Sequence, residues 1–323
     1  MYAGVGAKLA VGAQSNWSTI VAATKAISFS RENLAYRPVY KGADLLVGRK
    51  GSGRMDIVGS KVEGDFSCMC YPDEIGILLS AVLGAEATQS AVAAGVYDHV
   101  MTPMSSVAAS SLAKLTITVD RIAEIYGYIG CKLESMRLEA RGGDYLCATF
   151  GVVGYDETTD TNESLTPSTL VPFHFSHGAF TVGGAAYHVR GASLDYRNNL
   201  ENDLFTAYAA GGKMAEIEPQ GRVLSGTLDV LWDTTSKATR ATNFKGGTPL
   251  AISLVFTSTE VITGSYYYTL TISIPVAYIT DAPIGVGGTE RPPFSLSFAG
   301  TETAAANMIT VTLRDGLNAK YIA

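Results

Sequence analysis

The chain has 323 residues, 47% of them hydrophobic and only 17% charged, with a formal net charge of −6. Soluble domains usually carry about 25% charge, so a surface this poor in charge fits a protein that hides much of itself in an assembly. The acidic balance argues against a protein that grips nucleic acid, because that affinity comes from Lys and Arg on phosphate, and apolar segments spread along the whole chain argue against disorder.

Residues 1–27 are rich in Gly and Ala and read as an arm with weak order of its own. Lys8 interrupts their apolar part, which is not the pattern of a signal peptide. No apolar run approaches the roughly 18 residues of a membrane helix. SFSRENLAY, residues 28–36, reads as a strand entering a domain. Residues 37–56 combine Gly42, Gly48, Gly51 and Gly53 with Arg49, Lys50 and Arg54, a long basic loop of the kind that is usually functional or at an interface. In KVEGDFSCMC, Val62, Gly64, Phe66, Cys68 and Cys70 alternate with Lys61, Glu63, Asp65 and Ser67. That period of two marks a half-buried strand.

A helix is predicted next, over residues 73–83. Ile75, Leu78, Leu79, Val82 and Leu83 recur at helical spacing, Asp73 is placed to cap the start, and Gly84 to stop the run. It is the one convincing helix in the sequence. KLTITVDR and YIGCKLESMRLEA read as strands, the second with a phase shift near Glu134 and Ser135 that suggests a bulge. Gly142-Gly143-Asp144 turns the chain into YLCATFGVVGY. The polar stretch 155–170 reads as a linker. Strand-like segments follow to the end. In SYYYTLTISIPVAYI, Tyr266, Tyr268, Leu270, Ile272, Ile274, Val276 and Tyr278 are expected to share one face, with Pro275 pointing away.

The two halves resemble each other. Arg31-Glu32-Asn33-Leu34 matches Arg197-Asn198-Asn199-Leu200, and residues 59–66 align without gaps on residues 221–228. The second half has no good copy of the helix; TRATNFKGG stands in its place. An internal repeat of this kind predicts two similar β-domains.

Chemistry is sparse. Cys68, Cys70, Cys131 and Cys147 form no CxxC pair and read as reduced, packed thiols. His174 and His177 would face opposite sides of a strand, which is poor metal geometry. Gly183-Gly184 and the glycines of 285–288 lack any strand–helix context for phosphate binding. The Gly-x-Ser-x-Gly nucleophile elbow is absent, and Glu134 and Glu139 mark no cleft. No enzyme constellation and no cofactor site can be named.

Three stretches carry a family resemblance: the Gly-rich opening GVGAKLAVGAQSNWST, then KVEGDFSCMCYPDEIGILLSAVLGA, then YDHVMTP with SLAKLTITVDR and YIGCKLESMRLEARGGDYLCATFGVVG. In this order they resemble the two-domain tail tube proteins of long, non-contractile-tailed bacteriophages. The resemblance implies a mainly β chain of two tandem β-sandwich or barrel domains, the first with a short flanking helix, at 28–155 and 171–323. It implies homotrimeric rings with pseudo-six-fold symmetry, stacked into a hollow tube that meets other tail proteins at its ends and passes genomic DNA without specific binding. It places the protein in the virion tail, assembled in the host cytoplasm, with no membrane partner. On that reading Glu63, Asp65, Ser67, Ser225, Thr227 and Asp229 are expected to line the DNA channel, an outer surface being the alternative. Lys8, Lys41, Arg49, Lys50 and Arg54 are expected at ring-stacking contacts. A carbohydrate-binding β-sandwich of a virion surface or secreted protein is the rival reading; an outer-membrane barrel is disfavoured for want of a signal peptide.

Overall fold

β-Branched and aromatic residues at alternate positions commit most of this chain to extended backbone. In a computed structural model of the chain, 59% of residues lie in strands and 9% in helices. The structure describes residues 6–42, 54–104, 112–160, 165–205, 212–214, 217–285 and 294–322. The first half holds β1 (Lys8–Gln14), β2 (Lys25–Ile27), β3 (Phe29–Glu32), β4 (Ala35–Gly42), β5 (Met55–Met69), α1 (Ile75–Leu83), β6 (Gly84–Glu86), β7 (Ser90–Ala93), β8 (Val96–Pro103), β9 (Lys114–Asp120), β10 (Ile125–Arg141), β11 (Cys147–Gly154) and β12 (Asp156–Thr159). The second holds β13 (Gly178–Val182), β14 (Ala185–Ala186), β15 (Val189–Arg197), β16 (Val223–Val230), α2 (Thr234–Thr239), β17 (Leu250–Thr263), β18 (Tyr266–Asp281), β19 (Phe294–Gly300) and β20 (Thr310–Asp315).

The repeat is present in the strand order. The first half pairs antiparallel as β1–β9–β10–β11–β5–β3/β4. The second pairs as β13–β17–β18–β19–β16–β15, strand for strand the same. β12 lies along the first part of β10 as β20 lies along the first part of β18. Register repeats as well: the Phe66↔Phe150 rung corresponds to Leu228↔Leu296, and Tyr128↔Ile117 to Ile274↔Ile252. The aligned segments 59–66 and 221–228 are therefore structural counterparts. Their shared glycine has a reason: a Cβ on Gly64 would come within 2.7 Å of the Asn33 carbonyl oxygen, and one on Gly226 within 2.5 Å of the Ser193 carbonyl oxygen. The other sequence match is displaced. Arg31 lies opposite Ser67 in mid-ladder, whereas Arg197 lies opposite Val223 at the end of β15; the counterpart of Arg197 is Arg37, opposite Lys61.

Several expectations are corrected. Residues 8–14 of the supposed arm form β1, held between β2 and β9 with Leu9 and Val11 in the core. Residues 156–159 are not linker but β12, and the Ser168 amide donates to the buried Glu74 carboxylate. Glu74, not Asp73, occupies the N-cap of α1, while Gly84 ends it in the left-handed conformation at φ 88°, as its sequence position predicts. A second helix does exist. Asp233 caps α2 by accepting the Ser236 amide at 2.8 Å, and a wider helical turn continues over Arg240–Lys245, at the place in the repeat that α1 fills in the first half. TTSKATRATNFK carries too few apolar residues to show a stripe, because only Ser236 of α2 is buried.

Both long central strands change phase partway. β10 shifts register between Tyr128 and Cys131, and β18 does so at the equivalent place, between Ile274 and Ala277. Hence Tyr278 is exposed and Ile279 buried, against the single face expected from alternation. Each strand there leaves one sheet and enters the other. The predicted bulge at Glu134 is present between Leu133 and Ser135, and it too is repeated, at Thr280 between Ile279 and Asp281.

The halves are joined by ladder, not by a tether. The second part of β10 takes β15 on its outer edge, from Ser135↔Arg197 to Arg141↔Gly191. This makes one continuous sheet of β3/β4–β5–β11–β10–β15–β16–β19–β18, and among the described residues the pairings do not run back on themselves. On the other layer β8 crosses from the first half to pair with β20. His99 of β8 locks that strut. Fully buried, its Nδ1 lies 2.8 Å from Glu86 and its Nε2 3.1 Å from Asp315 and 3.0 Å from the Leu317 carbonyl. Burial alone would lower the imidazole pKa; hydrogen bonds to Asp315 and Glu86 outweigh it and hold it at about 10. The segment after β20 then lays Tyr321 against Gly76 of α1, its amide donating to Glu86 at 3.0 Å.

Two outcomes follow from this joint. Because the folded pKa of His99 is raised above the ordinary 6.5, its stabilisation is complete below that pH and is lost as pH climbs toward about 10; urea titrations across pH 6.5–10 should show falling stability, and a flat profile would contradict the charged state. A Cβ on Gly76 would run into the Tyr321 ring, so Gly76→Ala should cost about 1–3 kcal/mol. The same substitution in a Tyr321→Ala background should add little.

Candidate functional site

Alternation puts one side of the continuous sheet in the core and leaves the other free. The core side reads Phe66, Phe150, Met136, Tyr196 and Leu224 across five neighbouring strands, all buried. Phe66 and Phe150 stack with centroids 5.6 Å apart, worth about 0.5–1.5 kcal/mol beyond area. The free side reads Ser67, Thr149, Arg137, Asp195 and Ser225 in the parallel row. The core extends through both halves without a break, so every strand of the sheet is anchored from behind and the polar face is held as one surface.

The structure brings all six expected channel residues onto this face. Glu63, Asp65 and Ser67 of β5 are half-buried; Ser225, Thr227 and Asp229 of β16 are exposed. Three strands separate the two groups, in the order β5–β11–β10–β15–β16. Hydroxyl pairs tie neighbouring strands: Ser67 with Thr149 at 2.8 Å, and Ser193 with Thr227 at 2.7 Å.

The face is not the acidic lining that Glu63, Asp65 and Asp229 suggest on their own. Arg31, Arg137, Arg141 and Arg197 share it, and each is met by a carboxylate. Arg31 lies 2.7 Å from Asp65, Arg197 2.7 Å from Asp195, and Glu139 accepts both Arg137 at 2.7 Å and Arg141 at 3.3 Å. Lys61 is paired with Glu63. Exposed pairs like these add only ~0–1 kcal/mol each to stability, but they cancel one another's field. Glu134, at the bulge, has its carboxyl pushed up by burial and then by Glu63. The arginines were missed because period two in MRLEA was counted without the register that sets Arg137 against Asp195.

Of the expected stacking residues, Lys8 heads β1 opposite Asp120 in its own sheet, so the premise that residues 1–27 cannot bury themselves fails. Lys41 is exposed near the end of β4, and Arg54, 77% exposed, pairs with Asp56 at 2.7 Å. Arg49 and Lys50 fall outside the described residues. β4 and β5 run on together beyond the sheet as a ribbon, leaving Tyr40, Met55, Ile57 and Val58 exposed, an apolar group that the basic composition of the loop had masked. In the equivalent place of the second half, the described residues between β15 and β16 (198–205, 212–214 and 217–222) instead meet the first half. Buried Lys132 donates to the Ile217 carbonyl at 2.6 Å, and Asn198 donates to the carbonyls of Val82 and Leu133.

Other candidates stay structural. The rings of His174 and His177 do meet, with centroids 3.4 Å apart, because they sit on a 3-10 turn and not in a strand as expected. Among the described residues no three His, Cys, Asp or Glu come together as a metal site. Burial raises the thiol pKa of all four cysteines, which are free. No helix among the described residues is long and apolar enough to cross a membrane.

A two-half β-protein with one continuous polar sheet face matches a known family: a family model described as phage tail tube protein matches residues 4–313. The chain belongs to the phage tail tube protein family. No curated protein matches it. Family membership makes the chain a structural component of the phage tail, built to assemble with itself and with other tail proteins. The polar face, the open edges and the β4–β5 ribbon are accordingly features of a tail tube subunit.

Proposed function

We propose that three copies of this chain close into a ring of six equivalent halves, and that rings stack into the hollow tube of a long, non-contractile tail through which genomic DNA is ejected. One observation carries the reading: the eight-stranded sheet is two equivalent four-stranded units joined in line, polar on one side and, among the described residues, open at both ends. The junction inside the chain is the pattern for the junctions between chains, and joining edges end to end removes the aggregation hazard that an open edge presents.

The polar face is the channel lining on this reading. Among the described residues this layer joins the main sheet of one half directly to the main sheet of the other. In the layer behind it, β2–β1–β9 and β14–β13–β17 belong to separate sheets, and β8 of the first half is added only to the sheet of the second, at β20. In concentric walls the inner one has the smaller circumference, so its strands meet while those of the outer wall splay apart. DNA must slide without sticking. Guanidinium groups already committed to carboxylates offer phosphate little, and the hydroxyls between them keep the wall wet. The β4–β5 ribbon, with Lys41, Arg54 and its exposed apolar residues, is the element that reaches the next ring. The glycan-binding alternative has no comparable support, since the exposed aromatics are Tyr40 on β4, Tyr145 before β11, and Tyr267 and Tyr278 near opposite ends of β18.

The lining can be tested by adding charge where it does not disturb packing. Ser225→Lys and Asp229→Lys together should leave tubes intact and slow DNA ejection, most at low salt where phosphate attraction is least screened. Asp65 is best left alone, because it holds both Arg31 and Asn33. Ejection at the wild-type rate at every salt concentration would move this face to the outside of the tube.

A further inference from the structure

The repeat identifies the seam between copies residue by residue. Inside the chain the outer edge of β10 receives β15. The counterpart of β10 is β18, and the counterpart of β15 is β3 with β4. Beyond Ala277 the outer edge of β18 has no strand against it among the described residues, and neither has the outer edge of β3 and β4. The chain thus ends in one acceptor edge and one donor edge, and it shows how such a pair fits.

Register fixes the rungs. In the internal junction Ser135 lies opposite Arg197. Asp281 stands where Ser135 stands, just past the bulge and paired with Ser297 as Ser135 is with Gly151. Arg37 stands where Arg197 stands, opposite Lys61 as Arg197 is opposite Val223. Even the isolated Ile284↔Phe294 bridge continues the pattern, as the counterpart of Leu138↔Ala148. We propose that the ring closes by strand addition at this seam: the segment from Asp281, at the end of β18, to Ile284 in one copy takes Leu34 and the start of β4 of the next, antiparallel, with Asp281 facing Arg37. This rests on the ring reading above and specifies its contact.

Three features of the two edges agree. Arg37 is exposed and has no ionic partner among the described residues, and the Asp281 carboxylate holds only the Ala282 amide, at 2.9 Å. Facing charges of opposite sign stabilise a cross-strand pair, whereas like charges there destabilise it. Ile284, 37% exposed in the single chain, is the counterpart of buried Leu138 and would be covered. Prolines occupy both outer edges, Pro38 and Pro283, and neither β10 nor β15 has one; a missing N–H is how an edge that waits for one partner is kept from pairing with others.

The seam between copies also differs from the one within. The internal seam is backed by the β8–β20 strut and by the contacts of Asn198 and Ile217 with the first half. The second half passes from its helical turn at Lys245 to β17 at Leu250 and has no counterpart of β8. The ring therefore has three buttressed seams and three that depend on the sheet edges, and it comes apart at the latter.

The test is a charge exchange on the full chain. Arg37→Asp and Asp281→Arg, made singly, should each lower the yield of sedimentable rings and tubes by about tenfold or more, the equivalent of ~1.4 kcal/mol per contact, with unchanged circular dichroism. The double exchange should restore assembly. A second variant, Arg37→Cys with Asp281→Cys, should give on oxidation a disulfide-linked trimer on a denaturing gel. Wild-type yield from folded single exchanges, no recovery in the double exchange, or rings that fail to cross-link would overturn the seam while leaving the tube reading standing. A wild-type chain that forms neither rings nor tubes would overturn both.

Discussion

Backbone hydrogen bonds along the outer edge of β10 are what the rest of this structure depends on. Every strand has two edges, and each unpaired edge presents a row of donors and acceptors that must find water or a partner. The second part of β10 gives one edge to β11 and the other to β15. That arrangement turns two sandwiches into one sheet and fixes which side of the second half faces the same way as the first. It also demands strands long enough to serve two layers. β10 and β18 do so by changing sheet midway, at a register shift that recurs at the same place in both halves.

That shift explains where sequence legibility ended. In KVEGDFSC the strand stays in one sheet, so alternation alone gave the core face, the polar face and the aligned counterpart at 221–228. In SYYYTLTISIPVAYI the same counting failed, because a strand that crosses between sheets exchanges its sides at Pro275–Val276. α1 was legible because Ile75, Leu78, Leu79, Val82 and Leu83 recur at helical spacing, although the helix is buried all round and not on one face alone. α2 was not, because it lies on the surface with a single buried serine and depends on its Asp233 cap. β1 was hidden for another reason: a Cβ on Gly12 would come within 2.6 Å of the Ala22 carbonyl oxygen, and a glycine read locally signals looseness when here it signals close approach.

The polar face shows what composition can and cannot say about a surface. The sequence gives an excess of carboxylates, and a count over the whole chain suggests a repelling wall. Placed in register, the arginines and carboxylates of this face lie within ion-pair distance of one another. The field that a passing polyanion would meet depends on those pairings, which only the cross-strand register supplies. A face of matched charges is suited to a surface that must be wet and unselective, since neither sign is left in excess to bind.

On the proposed ring of three chains, the two kinds of seam bear on why a tube protein would carry two copies of one unit in a single chain. Six identical separate subunits would present six equal seams, each needing to survive on edge hydrogen bonds and whatever side chains flank them. Fusing the units in pairs allows half of the seams to acquire features that cannot form between free copies at low concentration. The β8–β20 strut and the His99 cluster are such features: they need a strand from one half, the chain end of the other, and a buried ion group that is costly unless every member is in place. Covalent linkage holds those members at high effective concentration before any ring exists. The internal seam can then be strong and permanent. The outer edges can stay simple, guarded by proline and marked by a single charge on each side, so that pairing waits for the correct partner.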